Sequence, residues 1–234
     1  MPESAPDLVI YGTPVSPFVR KVAACCLEKQ APFEIEMIDV FNPPDWFSAI
    51  SPMKRIPVLR DRSVAGEGNA GTIADSSAIC GFIERKHPQT ELYPSDPYLY
   101  GRALFIEEYA DTALAPAAGM GIFRALFFPA MKGEEPDLAK AKATWHDQMP
   151  PIFDYLEKSL DGAHFLAGDA LSIADIAVTC CFMQASLVAN TPLDNWPALA
   201  AHFERMTARP SISGPFAKAD AFVRKALPSR FDLT

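Results

Sequence analysis

The 234-residue sequence predicts an α/β domain followed by an all-α domain, on three observations. Before about residue 90, short apolar runs alternate with helical patterns. After it no strand pattern occurs, and helical stretches follow one another. Between the halves, residues 87–97 hold three prolines and no periodicity, which suits a linker.

In the first half, the apolar run from Leu8 to Tyr11 reads as a buried strand, closed by Gly12, Thr13 and Pro14. Residues 17–29 read as a helix with Val19, Val22, Ala23, Cys26 and Leu27 on one face. Residues 33–39 alternate apolar and polar, the pattern of a strand with one buried face. An irregular loop precedes a third strand at 57–60 and a short fourth at 72–74, joined by a glycine-rich hairpin loop at 62–71. Residues 76–86 form a second helix, ended by His87 and Pro88. The second half reads as helices at about 97–131, 136–160, 172–189, 196–208 and 211–226, an all-helical bundle.

Composition narrows the function classes. With 49% hydrophobic and 21% charged residues, the chain is not mainly disordered. A net charge of −8 argues against a nucleic-acid partner, which needs a basic face. No uncharged apolar run approaches the roughly 18 residues of a membrane span. The first residues show no basic stretch leading into an apolar one, so the expectation is a cytoplasmic protein with no membrane partner. Cys25, Cys26, Cys80, Cys180 and Cys181 fit neither a disulfide framework nor a zinc site, and read as reduced core residues. His87, His146, His164 and His202 are scattered, so no metal is expected.

Four motifs carry information. Pro17 suits a first helical position, which makes Ser16 the N-cap. Ser16 then either only caps, or also hydrogen-bonds an anion such as a thiolate at that helix end. Pro57 directly precedes a strand; the bond from Ile56 is either an ordinary trans one or a cis one that leaves the Ile56 backbone free for an extended ligand. Asp75 and Ser76 open a helix, and either cap it or hold the zwitterionic end of an amino acid. Ser172 and Asp175 have the spacing of a capping box, a structural feature. The aromatic set Tyr109, Phe123, Phe127 and Phe128 reads as core or as the wall of an apolar pocket.

In this order and spacing, these motifs resemble the cytosolic glutathione S-transferase family over nearly the whole chain, from about Leu8 to Phe222. The segment from Ser16 to Val22 resembles the serine-type active-site helix, as in bacterial members of the family. The segment from Met53 to Leu59 resembles the loop bearing the family's cis-proline, and Asp75-Ser76 the pair that holds the γ-glutamyl end of glutathione. Residues 172–177 resemble the bundle signature, and residues 196–211 the C-terminal pattern.

The resemblance implies a thioredoxin-like glutathione-binding domain at 7–87 and an all-helical domain at 98–227 that contributes a hydrophobic substrate pocket. It implies glutathione as cosubstrate, a hydrophobic electrophile as second substrate, and a homodimer. By position, Ser16 is the catalytic hydroxyl, Ile56 pairs with the cysteinyl backbone, and Pro57 bears the cis bond. Asp75 and Ser76 hold the γ-glutamate, Lys54 or Arg55 meets the glycyl carboxylate, and Phe18 flanks the pocket. Three departures stand out: Ser51-Pro52 replaces the usual Asn-Pro, no lysine occurs in 42–46, and loop 62–71 is long enough to reshape a pocket rim. Thr13 is a rival hydroxyl donor. Glutathione-dependent reduction, isomerisation or dehalogenation, and non-catalytic binding, use the same fold.

Overall fold

The computed structural model describes residues 5–234 and divides into two units, one ending at Glu91 and one running Leu92–Thr234. The first unit is built as β1 (Leu8–Gly12), α1 (Pro17–Glu28), β2 (Phe33–Met37), α2 (Asp45–Ile50), β3 (Val58–Asp61), β4 (Thr72–Ala74) and α3 (Ser76–Lys86). The strands form one mixed sheet in the order β2-β1-β3-β4, with β1 parallel to β2 and the other pairs antiparallel. With a helical second unit, this is the predicted thioredoxin-like fold followed by an all-α domain.

Strand alternation divides the core into two faces. Val9, Tyr11 and Val58 share a buried cluster with Ile38, Phe47 and Ile50, the last two from α2. Leu8, Ile10 and Leu59 alternate to the opposite face and are buried as well. There α1 packs beside α3.

Details differ from the sequence pattern for physical reasons. Helix α1 is buried all round from Val19 to Cys26, so no single apolar face defines it, and Leu27 is exposed. Strand β2 sits at the sheet edge and stops at Met37, which is 58% exposed, so the expected buried face is only half realised. The six-residue α2 lies in a stretch that the pattern leaves irregular, directly after Pro43 and Pro44.

In the second unit, α4 (Pro97–Tyr109) runs through the π-helical turns Ala110–Leu114 and Pro116–Phe123 into α5 (Arg124–Met131). α6 (Leu138–Ala143) likewise passes through π-helical Thr144–Gln148 into α7 (Met149–Leu160). The wide turns meet where Gly121 passes Thr144; a Cβ on Gly121 would lie 2.5 Å from the threonine methyl. α8 (Ile173–Ser186), α9 (Pro197–Thr207) and α10 (Pro210–Val223) complete the bundle. By length and composition Pro97–Met131 could cross a membrane, but half of its most apolar window is buried, as in a core helix.

α8 is the core, buried on every residue from Ile173 to Ala185. Its one carboxylate, Asp175, is fully used: Oδ2 accepts from the Ser172 amide and hydroxyl at 2.9 Å. Oδ1 accepts from the Leu166 amide at 2.9 Å and meets His202 Nε2 at 2.9 Å. Among the aromatic set, Phe123 and Phe127 are core, whereas Tyr109 and Phe128 are half-buried. All five cysteines are buried and none forms a disulfide, and burial, with Cys80 alongside, pushes the Cys26 thiol far up.

Candidate active site

Sheet register decides which residues meet. Val58 pairs with Tyr11 on one side and with Ala74 on the other. The three peptides beyond them, Gly12 on β1, Pro57 before β3 and Asp75 after β4, therefore emerge at one end of the sheet. Gly12 lets them converge, because a Cβ there would lie 2.5 Å from Val19 and 3.5 Å from the Ile56 side chain. The same register puts Asp61 opposite Leu8, so loop 62–71 leaves from the other end. The expectation that this loop reshapes the pocket rim is thereby corrected: it lies about 13 Å away along a strand rising roughly 3.3 Å per residue.

Ser16 is the N-cap of α1, with extended backbone (φ −69°, ψ 128°). Its Oγ accepts from the Val19 amide at 3.4 Å, a long bond that leaves the hydroxyl hydrogen uncommitted. The turn before it is held from below. The buried guanidinium of Arg20 donates to the carbonyl of Val15 at 2.8 Å and of Pro14 at 3.2 Å. Lys21, equally buried, donates to the Ser77 hydroxyl at 3.1 Å and so ties α1 to the start of α3. Its ammonium stands 6.0 Å from the ring centroid of half-buried Phe18. Neither cation is evident as a site element from sequence, where charges on a helix read as solvated.

The Ile56–Pro57 bond is cis. Among the described residues, the Ile56 N–H and C=O have no hydrogen-bond partner. The loop ahead of them is closed by Ser51, whose buried hydroxyl donates to the Arg55 carbonyl at 2.7 Å and accepts from the Arg55 amide at 3.0 Å. Thus the serine that departs from the usual Asn-Pro organises this loop. Lys54 (φ 52°) and Arg55 are exposed on it.

Asp75 caps α3 from a backbone conformation that L-residues seldom adopt, φ 82° and ψ 129°. Such local strain, of order 1–3 kcal/mol, tends to occur at functional sites. Its Oδ1 accepts from the amides of Ser77 at 2.9 Å and Ala78 at 3.2 Å. Among the described residues its Oδ2 has no partner, nor do the Ser76 amide and hydroxyl. A carboxylate oxygen beside unsatisfied N–H and O–H donors at a helix N-terminus matches the ammonium and carboxylate of an α-amino acid. Ser16, Ile56, Pro57, Asp75 and Ser76 are therefore grouped at one sheet end. Among the described residues, no hydrogen bond or ion pair engages the Lys54 or Arg55 side chains. Nor do those residues contain a group of three or more His, Cys, Asp or Glu side chains able to hold a metal.

Residues 10–91 match the model of the glutathione S-transferase N-terminal domain, and residues 115–210 that of the C-terminal domain. Glutathione S-transferase U4 of Arabidopsis thaliana is 27% identical over 177 residues, 75% of this chain and 70% of that one. Glutathione S-transferase F13 of the same plant is 26% identical over 212 residues, 87% of this chain and 92% of that one. Human glutathione S-transferase T1-1 in its apo form shares the fold, with a TM-score of 0.79 at 23% identity over 95% of this chain and 92% of that one.

Proposed function

Since the chain belongs to the glutathione S-transferase family, we propose that it is a glutathione transferase in which Ser16 activates the tripeptide's thiol. The observation that supports this reading is the set of unpartnered polar atoms at one sheet end: the Ile56 backbone, Asp75 Oδ2, and the Ser76 amide and hydroxyl. Asp75 and Ser76 take the γ-glutamyl ammonium and carboxylate. Ile56 pairs its backbone with the cysteinyl residue beside Pro57, and Lys54 or Arg55 meets the glycyl carboxylate. Phe18 flanks the thiol.

A free thiol with a pKa of about 8.5 is only a few per cent thiolate at pH 7. Lowering that pKa by about two units makes thiolate the majority form, a differential stabilisation of roughly 2.7 kcal/mol. A hydroxyl donor and the positive end of α1 act together toward that sum. The sulfur then attacks an electrophilic carbon and displaces its leaving group, forming a thioether. The protein contributes activation and positioning, since the nucleophile belongs to the cosubstrate. Residues 98–227 supply apolar side chains for the electrophile.

A thiol-exchange route is not the preferred reading, because serine forms no mixed disulfide and all five cysteines are buried. Isomerisation and dehalogenation draw on the same thiolate and are variants of this chemistry. We take the protein to be a cytoplasmic homodimer acting in detoxification; five cysteines outside any disulfide suit a reducing compartment. The test is incubation with glutathione and an aryl halide, read by mass spectrometry. A thioether formed faster than without protein supports the reading. Glutathione disulfide as the sole product, or no acceleration with any of a panel of aryl halides, epoxides and enones, contradicts it.

A further inference from the structure

Strand β2 is a free edge of the four-stranded sheet. Its pairing with β1 decides which of its backbone groups are spent. The Ile38 amide donates to the Gly12 carbonyl at 3.2 Å. In a parallel ladder alternate residues bond the same neighbour, so Glu34 and Glu36 also turn their N–H and C=O toward β1. Phe33, Ile35 and Met37 turn theirs outward, and among the described residues nothing meets them. Native sheet edges are commonly blunted by lysine, proline or a bulge. From Phe33 to Met37 β2 has none of these.

Two rows of side chains flank this open edge. Glu34 and Glu36 lie in register with Val9 and Tyr11 and share their face of the sheet, the one that α2 covers. Phe33, Ile35 and Met37 share the opposite face with Leu8 and Ile10. Glu34 pairs with Arg62 at 2.6 Å, whereas the exposed Glu36 has no hydrogen bond or ion pair among the described residues. Between residues 30 and 53 the sequence holds Glu34, Glu36, Asp39 and Asp45 and no Lys, Arg or His. Just past the strand, Val40 and Phe41 add apolar surface, 45% and 68% exposed.

We propose that the β2 edge is a docking site for a protein partner, which adds an extended segment of alternating basic and apolar residues as a further strand. The outward N–H and C=O groups of Phe33, Ile35 and Met37 take its backbone. Its Lys or Arg residues fall on the face of Glu34 and Glu36, and its apolar residues on the face of Phe33, Ile35 and Met37. Charge selects this occupant. A second copy of the chain fits badly: pairing β2 with itself about Ile35 sets Glu34 against Glu36 twice, and like charges directly opposite are destabilising. An acidic strand is repelled for the same reason. The surface uses no residue of the glutathione reading and stands or falls apart from it.

The test is amide hydrogen exchange of the full chain, read by nuclear magnetic resonance with and without the peptide acetyl-Lys-Val-Lys-Val-Lys-Val-amide. In the free protein the Phe33, Ile35 and Met37 amides should exchange fast and those of Glu34 and Glu36 slowly. With peptide at about ten times its Kd, the three fast amides should slow by about tenfold. Glu36→Lys, a change at an exposed position, should weaken the peptide about fivefold or more. The acidic counterpart acetyl-Glu-Val-Glu-Val-Glu-Val-amide should leave the edge unprotected. Slow exchange of the three amides already in the free protein would mean that a second copy or the chain itself covers the edge, and overturns the proposal. So would no protection by the basic peptide, protection confined to other elements, equal protection by the acidic peptide, or unchanged affinity in Glu36→Lys.

Discussion

The Arg20 guanidinium donates to the carbonyl of Val15 at 2.8 Å, one peptide before the Ser16 hydroxyl. Four residues into the helix that Ser16 caps, a buried cation reaches back and sets the turn on which that hydroxyl stands. Its place is structural and its consequence chemical: the hydroxyl is held where α1 begins, and the backbone has little freedom to withdraw it.

Arg20→Met keeps the volume and avoids an unpaired buried charge while deleting both carbonyl contacts. We expect a stability loss of about 1–3 kcal/mol, the usual worth of hydrogen bonds to a charged group. Turnover should fall at least about tenfold with the KM for glutathione changed less, since the turn, and not the γ-glutamyl subsite, is loosened. Chemical denaturation and steady-state kinetics check both.

Asp75→Asn preserves an N-cap, because asparagine caps as well as aspartate. It removes the charge that Oδ2 offers. Affinity for glutathione should fall by about tenfold or more, with melting temperature nearly unchanged. Equilibrium titration with glutathione measures the first and calorimetric melting the second.

Asp61 provides a pH test away from the site. Burial raises its pKa, but hydrogen bonds from Lys86 and from the Ser63 hydroxyl and amide outweigh this and hold it below the usual carboxylate range. A depressed folded-state pKa contributes stability that is present above the unfolded value of about 3.9 and is lost as pH falls through the folded value. Asp61→Asn should therefore be less stable than wild type at pH 7, and the gap should close below about pH 4. Urea unfolding across that range gives the result.

Asp175→Ala leaves two buried amides (Leu166 and Ser172), the Ser172 hydroxyl and His202 without their acceptor. The expected cost is at least about 3 kcal/mol, as for breaking a buried charge network. Poor folding of the helical unit, read by circular dichroism, is the predicted phenotype.

Sequence pattern carried the strands at 8–11 and 72–74, the helix at 76–86, and the proline-marked helix starts at Pro17 and Pro97. These features are local, set by a cap, a fixed φ or a short apolar run. What escaped is set by tertiary contact. The register that carries loop 62–71 away from Ser16 depends on Val58 meeting Tyr11, which no local signal encodes. Two of the π-helical turns, Pro116–Phe123 and Thr144–Gln148, meet at the close passage of Gly121 and Thr144, a tertiary contact that no local signal marks. Arg20 and Lys21 look solvated until the Pro14 and Val15 carbonyls and Ser77 are seen to receive them. At the candidate site the residues were nameable from motif spacing, whereas their free atoms at Ile56, Asp75 and Ser76 became visible only with hydrogen bonds assigned.

The most direct measurement is the ultraviolet titration of the thiol of bound glutathione, in the wild type and in Ser16→Ala. With the hydroxyl present, the thiolate should appear about two pH units below the free value of about 8.5. In Ser16→Ala the midpoint should return most of the way toward that value while glutathione remains bound. An identical midpoint in both proteins would contradict the assignment of Ser16 as the group that ionises the sulfur.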